Sequence, residues 1–364
     1  MYTSFRVNNF RGLRKTTLTG LERVNLIAGM NNVGKTALLE ALFLHCGAYN
    51  PELTLRLNAF RGLEHVKLEF GRWAETPWDS LFSQFDTSNE VELVGEDEQT
   101  GRRVLRLRVI RQPEELTKIW RSIQPSPHNP DKPTGIPFFT SVTAQVLELK
   151  SEEGKQSREY YMILDQQGLR IEPFPPPPPF PAFFLAARVR TSSVEDVERF
   201  GKLQTLKSED VLLETLQVIE PRLNQLTVVV AGGIPTIYGD IGLARLVPLP
   251  VMGEGMARLA SLVLAIGNAP NGVVLVDEIE NGFHHSILPK VWKAIGEAAR
   301  RFNTQVFATT HSLECIVAAH KAFSENERYD FRLYRLERVD GDIHAVNYDR
   351  ESLEAAIETG LEVR

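Results

Sequence analysis

One stretch of this sequence, Gly29 to Thr36, restricts the fold more than any other. It reads Gly-Met-Asn-Asn-Val-Gly-Lys-Thr and fits the pattern G-x-x-x-x-G-K-[ST] at every fixed position. A short apolar run, Val24–Ala28, precedes it, and a helical pattern, Ala37–Cys46, follows it. A glycine loop between a strand and a helix lets backbone N–H groups surround phosphate oxygens at the positive end of the helix. We therefore predict a nucleotide site here.

Within this loop the pattern indicates a role for each residue. Lys35 would reach the β- and γ-phosphates of ATP, and the hydroxyl of Thr36 would ligate Mg²⁺. An ordinary turn between a strand and a helix is the alternative, and the flanking strand and helix make it much the weaker one. The other predicted nucleotide-binding residues of the loop are Gly29, Asn31, Asn32 and Gly34.

Composition narrows the class of protein. The 364 residues are 43% apolar and 24% charged, with a net charge of −6. No apolar run approaches the roughly 18 residues of a membrane span, and the first residues do not form a signal peptide. Cys46 and Cys315 lack metal-site spacing, so buried free thiols in a reducing cytoplasm are expected. The net charge means that any contact with DNA would need a local basic patch or a partner.

The order of apolar and polar runs predicts an α/β fold with a parallel core sheet. Buried strands alternate with helices in residues 1–58 and 183–348, which we predict to form the core of a single ATPase unit spanning residues 1–364. A helical lobe is expected at about residues 190–270, and residues 349–364 form a last helix. Residues 59–182 predict an antiparallel β-rich insert.

Two features of the predicted insert have alternative interpretations. Arg102, Arg106 and Arg108 share one face of a strand. A solvated face of a half-buried sheet is the favoured interpretation, and a DNA-facing patch is the alternative. The proline-rich run Pro173–Pro181 must be extended, and we favour a stiff connector over a docking segment for a partner's aromatic groove.

A second strand end completes the predicted site. The apolar run Val273–Val276 ends in Asp277 and Glu278. Ligands of parallel sheets gather at the carboxyl ends of strands, where the phosphate loop also lies. Asp277 would hold Mg²⁺ directly or through water, and Glu278 would orient and deprotonate the attacking water.

Two further motifs fit the same site. His311 follows the next apolar strand and could hydrogen-bond the γ-phosphate, although the sequence around it would also cap a helix. Gly253 and Gly255 open a helix and would expose backbone N–H groups to an anion, with Arg258 nearby. Since the phosphate loop already uses one helix start, a second one suggests that one molecule closes on the nucleotide of another. A tight turn that needs glycine is the alternative.

In this order, these motifs resemble the ABC-type ATPase heads of the SMC and RecF superfamily, and most closely the OLD-like AAA ATPases. The stretch Asn9–Leu13 resembles the same superfamily, which implies that Arg11 lies near bound phosphates. After the acidic pair, Glu280, Gly282 and His284 match the family motif Glu-x-Gly-Leu-His-Pro. The family's inter-lobe glutamine has no clear counterpart; Gln166 and Gln167 are candidates by their order in the chain alone, and Arg188 is the alternative occupant of that region. The 16 residues after 348 are too few for the Toprim nuclease domain that OLD nucleases carry.

The resemblance implies a function. We expect a cytoplasmic, Mg²⁺-dependent ATPase that forms an ATP-dependent head-to-tail homodimer or a higher assembly. It would act as a switch in DNA-related or phage-defence functions, with DNA or a separately encoded effector nuclease as its partner and no membrane association. A RecF-like recombination mediator and a small-molecule P-loop kinase are the alternatives.

Overall fold

The computed structural model describes residues 1–62, 76–98, 100–123, 145–165, 168–187, 192–326 and 328–364. Its strands are β1 Tyr2–Phe10, β2 Leu13–Thr19, β3 Val24–Gly29, β4 Val91–Asp97, β5 Gly101–Ile110, β6 Gln145–Glu153, β7 Gln156–Asp165, β8 Gly168–Glu172, β9 Ala182–Leu185, β10 Gln225–Ala231, β11 Ile234–Asp240, β12 Val247–Pro248, β13 Val273–Val276, β14 Gln305–Thr309, β15 Phe331–Val339 and β16 Asp342–Tyr348. Its helices are α1 Lys35–Cys46, α2 Leu53–Phe60, α3 Pro113–Ile123, α4 Ser193–Thr205, α5 Asp210–Gln217, α6 Glu254–Gly267, α7 Leu288–Arg301, α8 Leu313–Ser324 and α9 Arg350–Glu358.

The core is a six-stranded sheet in the order β16-β15-β3-β14-β13-β9. All neighbours are parallel except the β15–β16 hairpin at one edge. This hairpin turns at Asp340 and Gly341, which both have positive φ, as a tight hairpin turn requires. The parallel sheet confirms the predicted α/β fold and brings the carboxyl ends of β3, β13 and β14 to one edge.

The antiparallel strands are not set apart from the N-terminal strands. A seven-stranded sheet runs in the order β2-β1-β4-β5-β6-β7-β8, so β4 pairs directly with β1. The apolar pattern predicts two strands in residues 4–28, Ser4–Asn8 and Val24–Ala28, and the structure has three, because β2 folds back on β1. The division of the chain at residue 59 therefore cuts across one continuous sheet, and it remains a prediction about chain organisation.

Helix α1 lies between the two sheets. Eleven of its twelve residues are buried. One hydrophobic cluster joins residues of α1 to Phe5 and Val7 of the antiparallel sheet and to Leu275 and Phe307 of the parallel sheet. A helix that is apolar on all sides is expected in such a position. The helix that follows the phosphate loop is thus held rigidly from both faces.

The opposite face of the parallel sheet is covered by helices. A second cluster joins α4 to α8 with β13 and β14, and includes Leu212, Leu262, Ile295 and Ile316. A small sheet of β10, β11 and β12 packs beside it. Of these helices, α4, α5 and α6 fall within about residues 190–270, where the sequence predicts a helical lobe, and that lobe stays a prediction. Among the residues that the structure describes, no helix has both the length and the apolar character needed to cross a bilayer.

Two of the three arginines on the predicted face of β5, Arg106 and Arg108, are paired with acidic neighbours. Arg106 lies 2.8 Å from Glu152 and 3.1 Å from Glu92, and Arg108 lies 3.0 Å from Glu148. These cross-strand ion pairs favour the interpretation as a solvated sheet face over a DNA-facing patch. In the proline-rich run, Phe180 lies under the guanidinium of Arg103, which ties the run to the antiparallel sheet.

Several predictions fall on residues outside the described ranges. The pattern of the insert predicts strands at 66–70 and 142–149 and a proline-rich loop at 124–137. The first strand, the start of the second, the loop, and the candidates Gln166, Gln167 and Arg188 lie outside the described residues.

Candidate nucleotide-binding site

The loop between β3 and α1 has the backbone geometry of a phosphate cradle. Gly29 has φ 142° and Gly34 has φ 102°, and Asn32 between them also has positive φ. A Cβ on Gly29 would lie 2.8 Å from the carbonyl oxygen of Leu336, so only glycine fits there. The Nζ of Lys35 donates to the carbonyl oxygens of Gly29 and Met30 at 2.7 and 3.0 Å.

The ammonium of Lys35 is largely buried, and burial lowers its pKa. Its hydrogen-bond partners are loop carbonyl oxygens, with Asp277, Glu280 and Glu278 contributing favourable charge. A buried cation of this kind interacts strongly with an incoming anion. Asn31 and Asn32 are exposed at the tip of the same loop.

The structure brings Thr36 and Asp277 together. The hydroxyl of Thr36 donates to both carboxylate oxygens of Asp277, at 3.0 and 3.1 Å. These residues are 241 positions apart, and they meet because β3 and β13 both pair with β14. Burial raises the pKa of Asp277, while hydrogen bonds from Thr309 and Thr36 oppose this shift.

Thr309 is a site residue to which the sequence analysis assigned no role. Its hydroxyl donates to Asp277 at 2.7 Å and accepts the backbone N–H of Glu278 at 2.8 Å. The register that pairs Val276 with Ala308 places it beside Asp277. A hydroxyl residue at the end of a buried strand was the available signal, but only the strand order shows that this strand lies beside the one that ends in Asp277 and Glu278.

Glu278 is held in an unusual conformation. Its φ is 50°, in the left-handed region, which a non-glycine residue adopts at an energetic cost. The side chain of Asn281 donates to its carboxylate at 2.7 Å. Arg258 donates to the carbonyl oxygens of Asp277 and Glu278 at 2.9 and 2.7 Å. The turn that carries Asp277 and Glu278, which we call the acidic turn, is therefore fixed by the side chains of Asn281 and Arg258.

This position of Arg258 differs from the expectation that it acts as a charge toward nucleotide. Its guanidinium is committed to the backbone of its own chain. Burial lowers its pKa, and Glu280, Glu278 and Asp277 oppose the shift. The physical reason is that the first two turns of α6 pack against the loop after β13: a Cβ on Gly255 would lie 2.8 Å from the carbonyl oxygen of Gly282. Gly255 thus has a packing role, and Gly253 has φ 131° at the helix start.

Arg11 lies beside the loop in an ion-pair cluster with Glu40 and Arg61. The Nε of Arg11 is 2.7 Å from the fully buried carboxylate of Glu40, which also accepts two hydrogen bonds from Arg61 at 2.7 and 2.9 Å. Burial lowers the pKa of Arg11 to about 10, with Glu40 opposing the shift and Arg61 adding to it. The Nη2 of Arg11 is buried and has no hydrogen-bond partner among the described residues. One carboxylate between two guanidinium groups leaves a net positive charge here.

These elements surround a cavity of about 620 Å³, the size of a small-molecule site. The phosphate loop and the acidic turn line this cavity, together with Arg11 and Arg61. Arg338 of β15 also lines it and lies 3.5 Å from the carbonyl oxygen of Asn32. Sequence reasoning missed Arg61 and Arg338, because no motif marks them.

Two predicted elements lie outside this lining. His311 is half exposed, and its Nδ1 is 3.1 Å from the carboxylate of Glu280, which also accepts the backbone N–H of His311 at 2.9 Å. The N-terminal part of α6, with Glu254 and Arg258, lines a second cavity of about 710 Å³. His311 therefore contacts Glu280, which follows the acidic turn, and does not line the cavity of the phosphate loop.

The residues present fit a magnesium ion. Mg²⁺ prefers oxygen ligands and takes only one or two protein carboxylates, with water and phosphate completing its shell. The hydroxyl of Thr36 and the carboxylate of Asp277 are such ligands, and their mutual distance of 3.0 Å places them at one point.

A family model described as "AAA domain, putative AbiEii toxin, Type IV TA system" matches residues 24–316. A Helicobacter pylori protein named "ATP/GTP phosphatase" is 22% identical over 97% of each chain. A Methanocaldococcus jannaschii protein, named only as uncharacterized, is 30% identical over 115 residues, which are 31% of this chain and 90% of that protein.

Solved structures similar to this chain include SMC heads. An SMC head bound to the C-terminal winged-helix domain of ScpA has a TM-score of 0.49 and 11% identity, covering 98% of this chain and 99% of that one. The SMC head from Thermotoga maritima has a TM-score of 0.43 and 12% identity, with 96% and 99% covered. The family match, which spans most of the chain, is the comparison that bears on its identity.

Proposed function

This chain belongs to the AAA-domain family matched over residues 24–316 and is an AAA-type ATPase, and we propose that it hydrolyses Mg–ATP as a conformational switch. The contact between Thr36 and Asp277 carries the proposal, because it joins the phosphate loop to the acidic strand end in one site. The name of the Helicobacter pylori relative, an ATP/GTP phosphatase, supports transfer of the phosphoryl group to water.

Each residue has a role that its position supports. Lys35 exchanges loop carbonyl oxygens for phosphate oxygens, and Arg11 offers the same anion its Nη2, which has no hydrogen-bond partner in the described part of the chain. Thr36 and Asp277 would hold Mg²⁺, which would supply charge compensation at the phosphates. Glu278 accepts a proton from the attacking water while Asn281 fixes the orientation of its carboxylate. His311, hydrogen-bonded to Glu280, would report the state of the γ-phosphate to the helical lobe.

We further propose that two copies associate head-to-tail in the ATP state. The N-terminus of α6, with Gly253 and Gly255, would then cap the nucleotide of the partner. Arg258 supports this indirectly, since it joins α6 to the acidic turn of its own chain. It would therefore couple the α6 surface that contacts the partner to the nucleotide site of its own chain. ATP and ADP would stabilise different assemblies, which makes hydrolysis a switch.

The family description, with its words "putative AbiEii toxin, Type IV TA system", supports the defence role that the resemblance to OLD-like ATPases implies. The switch would act through a separately encoded effector such as a nuclease. The neutralised arginines of β5 do not support DNA binding through that face, so a RecF-like role would need another surface.

The decisive experiment compares the mass in solution of Glu278→Gln with and without Mg–ATP. This variant should bind ATP and hydrolyse it at least a hundredfold more slowly, and its mass should double only with ATP. Glu297→Gln, the same change at an exposed position of α7, is the matched control and should hydrolyse ATP like the wild type.

Two outcomes would contradict parts of the proposal. Wild-type protein that neither binds nor hydrolyses ATP would refute the nucleotide site. An unchanged mass of Glu278→Gln with ATP bound would refute the head-to-tail dimer but leave the ATPase assignment intact.

A further inference from the structure

An exposed aromatic side chain shares the cavity of the phosphate loop. Phe85 is 70% exposed, whereas most phenylalanines that the structure describes are buried or partly buried, and it lines the same cavity as Lys35 and Asp277. An exposed phenylalanine alone is unremarkable in a protein surface. Its position in a site built for a triphosphate calls for an explanation.

The backbone presents Phe85 in a fixed and strained way. Gln84 and Phe85 have φ 58° and 60°, two consecutive non-glycine residues in the left-handed region. Such conformations persist only where the surroundings hold them, and they concentrate at functional sites. The strain indicates that the position of Phe85 is maintained by its surroundings.

The segment before Phe85 is anchored to the strand that leads to Arg11. Phe82 is buried and forms a bridge with Phe10, and the backbone N–H of Arg11 donates to the carbonyl oxygen of Leu81 at 2.8 Å. Trp78 and Leu81 are fully buried beneath it. An exposed ring on a rigidly anchored turn is pre-organised for contact with a ligand.

The contents of the cavity select the kind of contact. Lys35, Arg11 and Arg61 supply the positive charge that binds phosphates. These cationic groups are not suited to binding the uncharged base of a nucleotide. A cavity of about 620 Å³ has room for more than a triphosphate chain. The flat apolar part of a nucleoside triphosphate is its base, and Phe85 is the exposed aromatic ring in the lining.

Resting on the proposed nucleotide site, we propose that Phe85 is the platform on which the nucleotide base stacks. Stacking on an aromatic ring depends on the face of the base and not on its hydrogen-bonding edge. The site should therefore bind ATP and GTP with similar affinity. Pyrimidine triphosphates, whose rings offer less stacking area, should bind more weakly.

The test measures binding by calorimetry in the presence of Mg²⁺ for ATP, GTP and inorganic tripolyphosphate. Phe85→Ala should weaken ATP and GTP about tenfold, in the range of one lost base stack, and leave tripolyphosphate unchanged. Phe85→Trp should retain purine binding, and its added fluorescence should be quenched by ATP but not by tripolyphosphate. Phe174→Ala removes another exposed phenylalanine, 90% exposed, and is the matched control with unchanged binding.

Three results would overturn the assignment while wild-type nucleotide binding stands. Phe85→Ala could bind ATP like the wild type, or it could lose tripolyphosphate and ATP equally, which would mean that the turn only supports the loop. It could also bind ATP normally but prevent the ATP-dependent doubling of mass in the Glu278→Gln background, which would place Phe85 in the subunit interface. A wild-type protein that binds none of the three ligands would instead refute the nucleotide site itself.

Discussion

The hydroxyl of Thr309 donates a 2.7 Å hydrogen bond to the carboxylate of Asp277 from the end of the neighbouring strand. The same hydroxyl accepts the backbone N–H of Glu278, so one oxygen fixes both acidic residues. Asp277 thus receives hydrogen bonds from two threonines, one on each side, and its orientation is set before any ligand arrives.

Replacing Thr309 should therefore impair catalysis without unfolding the protein. Thr309→Val keeps the shape and removes both hydrogen bonds, whereas Thr309→Ser keeps the hydroxyl. We expect the rate of ATP hydrolysis to fall about 10- to 100-fold in Thr309→Val, as for other residues that orient metal ligands, and to be largely retained in Thr309→Ser. Steady-state phosphate release at several Mg²⁺ concentrations measures this. Equal rates in the two variants would show that the hydroxyl is dispensable.

Arg258 should affect hydrolysis more than binding. Arg258→Lys cannot form the same hydrogen bonds to the carbonyl oxygens of Asp277 and Glu278, so the strained turn should relax. We expect kcat to fall about tenfold with little change in the affinity for ATP, an effect typical of a positioning residue. Arg245→Lys, at an exposed position, is the control. Weakened ATP binding by the monomer with unchanged kcat would contradict this role.

Glu40 should be important for stability. Glu40→Gln removes the only negative charge of the cluster and leaves Arg11 buried beside Arg61. Breaking a buried ion pair from one side is strongly destabilising, so we expect a loss of about 3 kcal/mol in the free energy of unfolding. Thermal unfolding should show a clear fall in Tm, whereas the exposed Glu52→Gln should not. An unchanged Tm in Glu40→Gln would mean that the cluster contributes little.

Asp196 should make the stability of the protein depend on pH. Burial raises the pKa of Asp196 to about 6, while the hydroxyl of Ser261 and the charge of Arg199 oppose the shift and Glu195 adds to it. Because the folded-state pKa lies above the unfolded value, the folded state binds the proton more tightly. Stability from this group is greatest below about pH 4 and is lost as pH rises through about 6.

Asp196→Asn should remove this dependence. A shift of about two pKa units corresponds to at most about 3 kcal/mol, of which about half appears between pH 5 and 7.5. We expect the difference in Tm between variant and wild type to move in favour of the variant from pH 5 to pH 7.5. Glu198→Gln, an exposed carboxyl on the same helix, should show no such change. A difference in Tm that is constant across this range would contradict the assignment.

Local patterns were sufficient for much of this protein. The phosphate loop, the acidic end of β13, the alternation of strands and helices, and the hairpin at Asp340 and Gly341 are written in short stretches, because glycine conformations, strand periodicity and turn chemistry act over a few residues. The sequence by itself therefore determined the fold class and identified Thr36 and Asp277 as residues of one site.

The tertiary structure decided which distant residues become neighbours. The pairing of β4 with β1, the ion pairs of Arg11 and Arg61 with Glu40, the commitment of Arg258 to the acidic turn, and the paired arginines of β5 all join parts of the chain that are far apart in sequence. No local pattern encodes these contacts, because they depend on strand order and on how helices pack across the sheets. The sequence does not show whether a charged side chain contacts a ligand or a buried carboxylate, because that depends on how the chain packs around it.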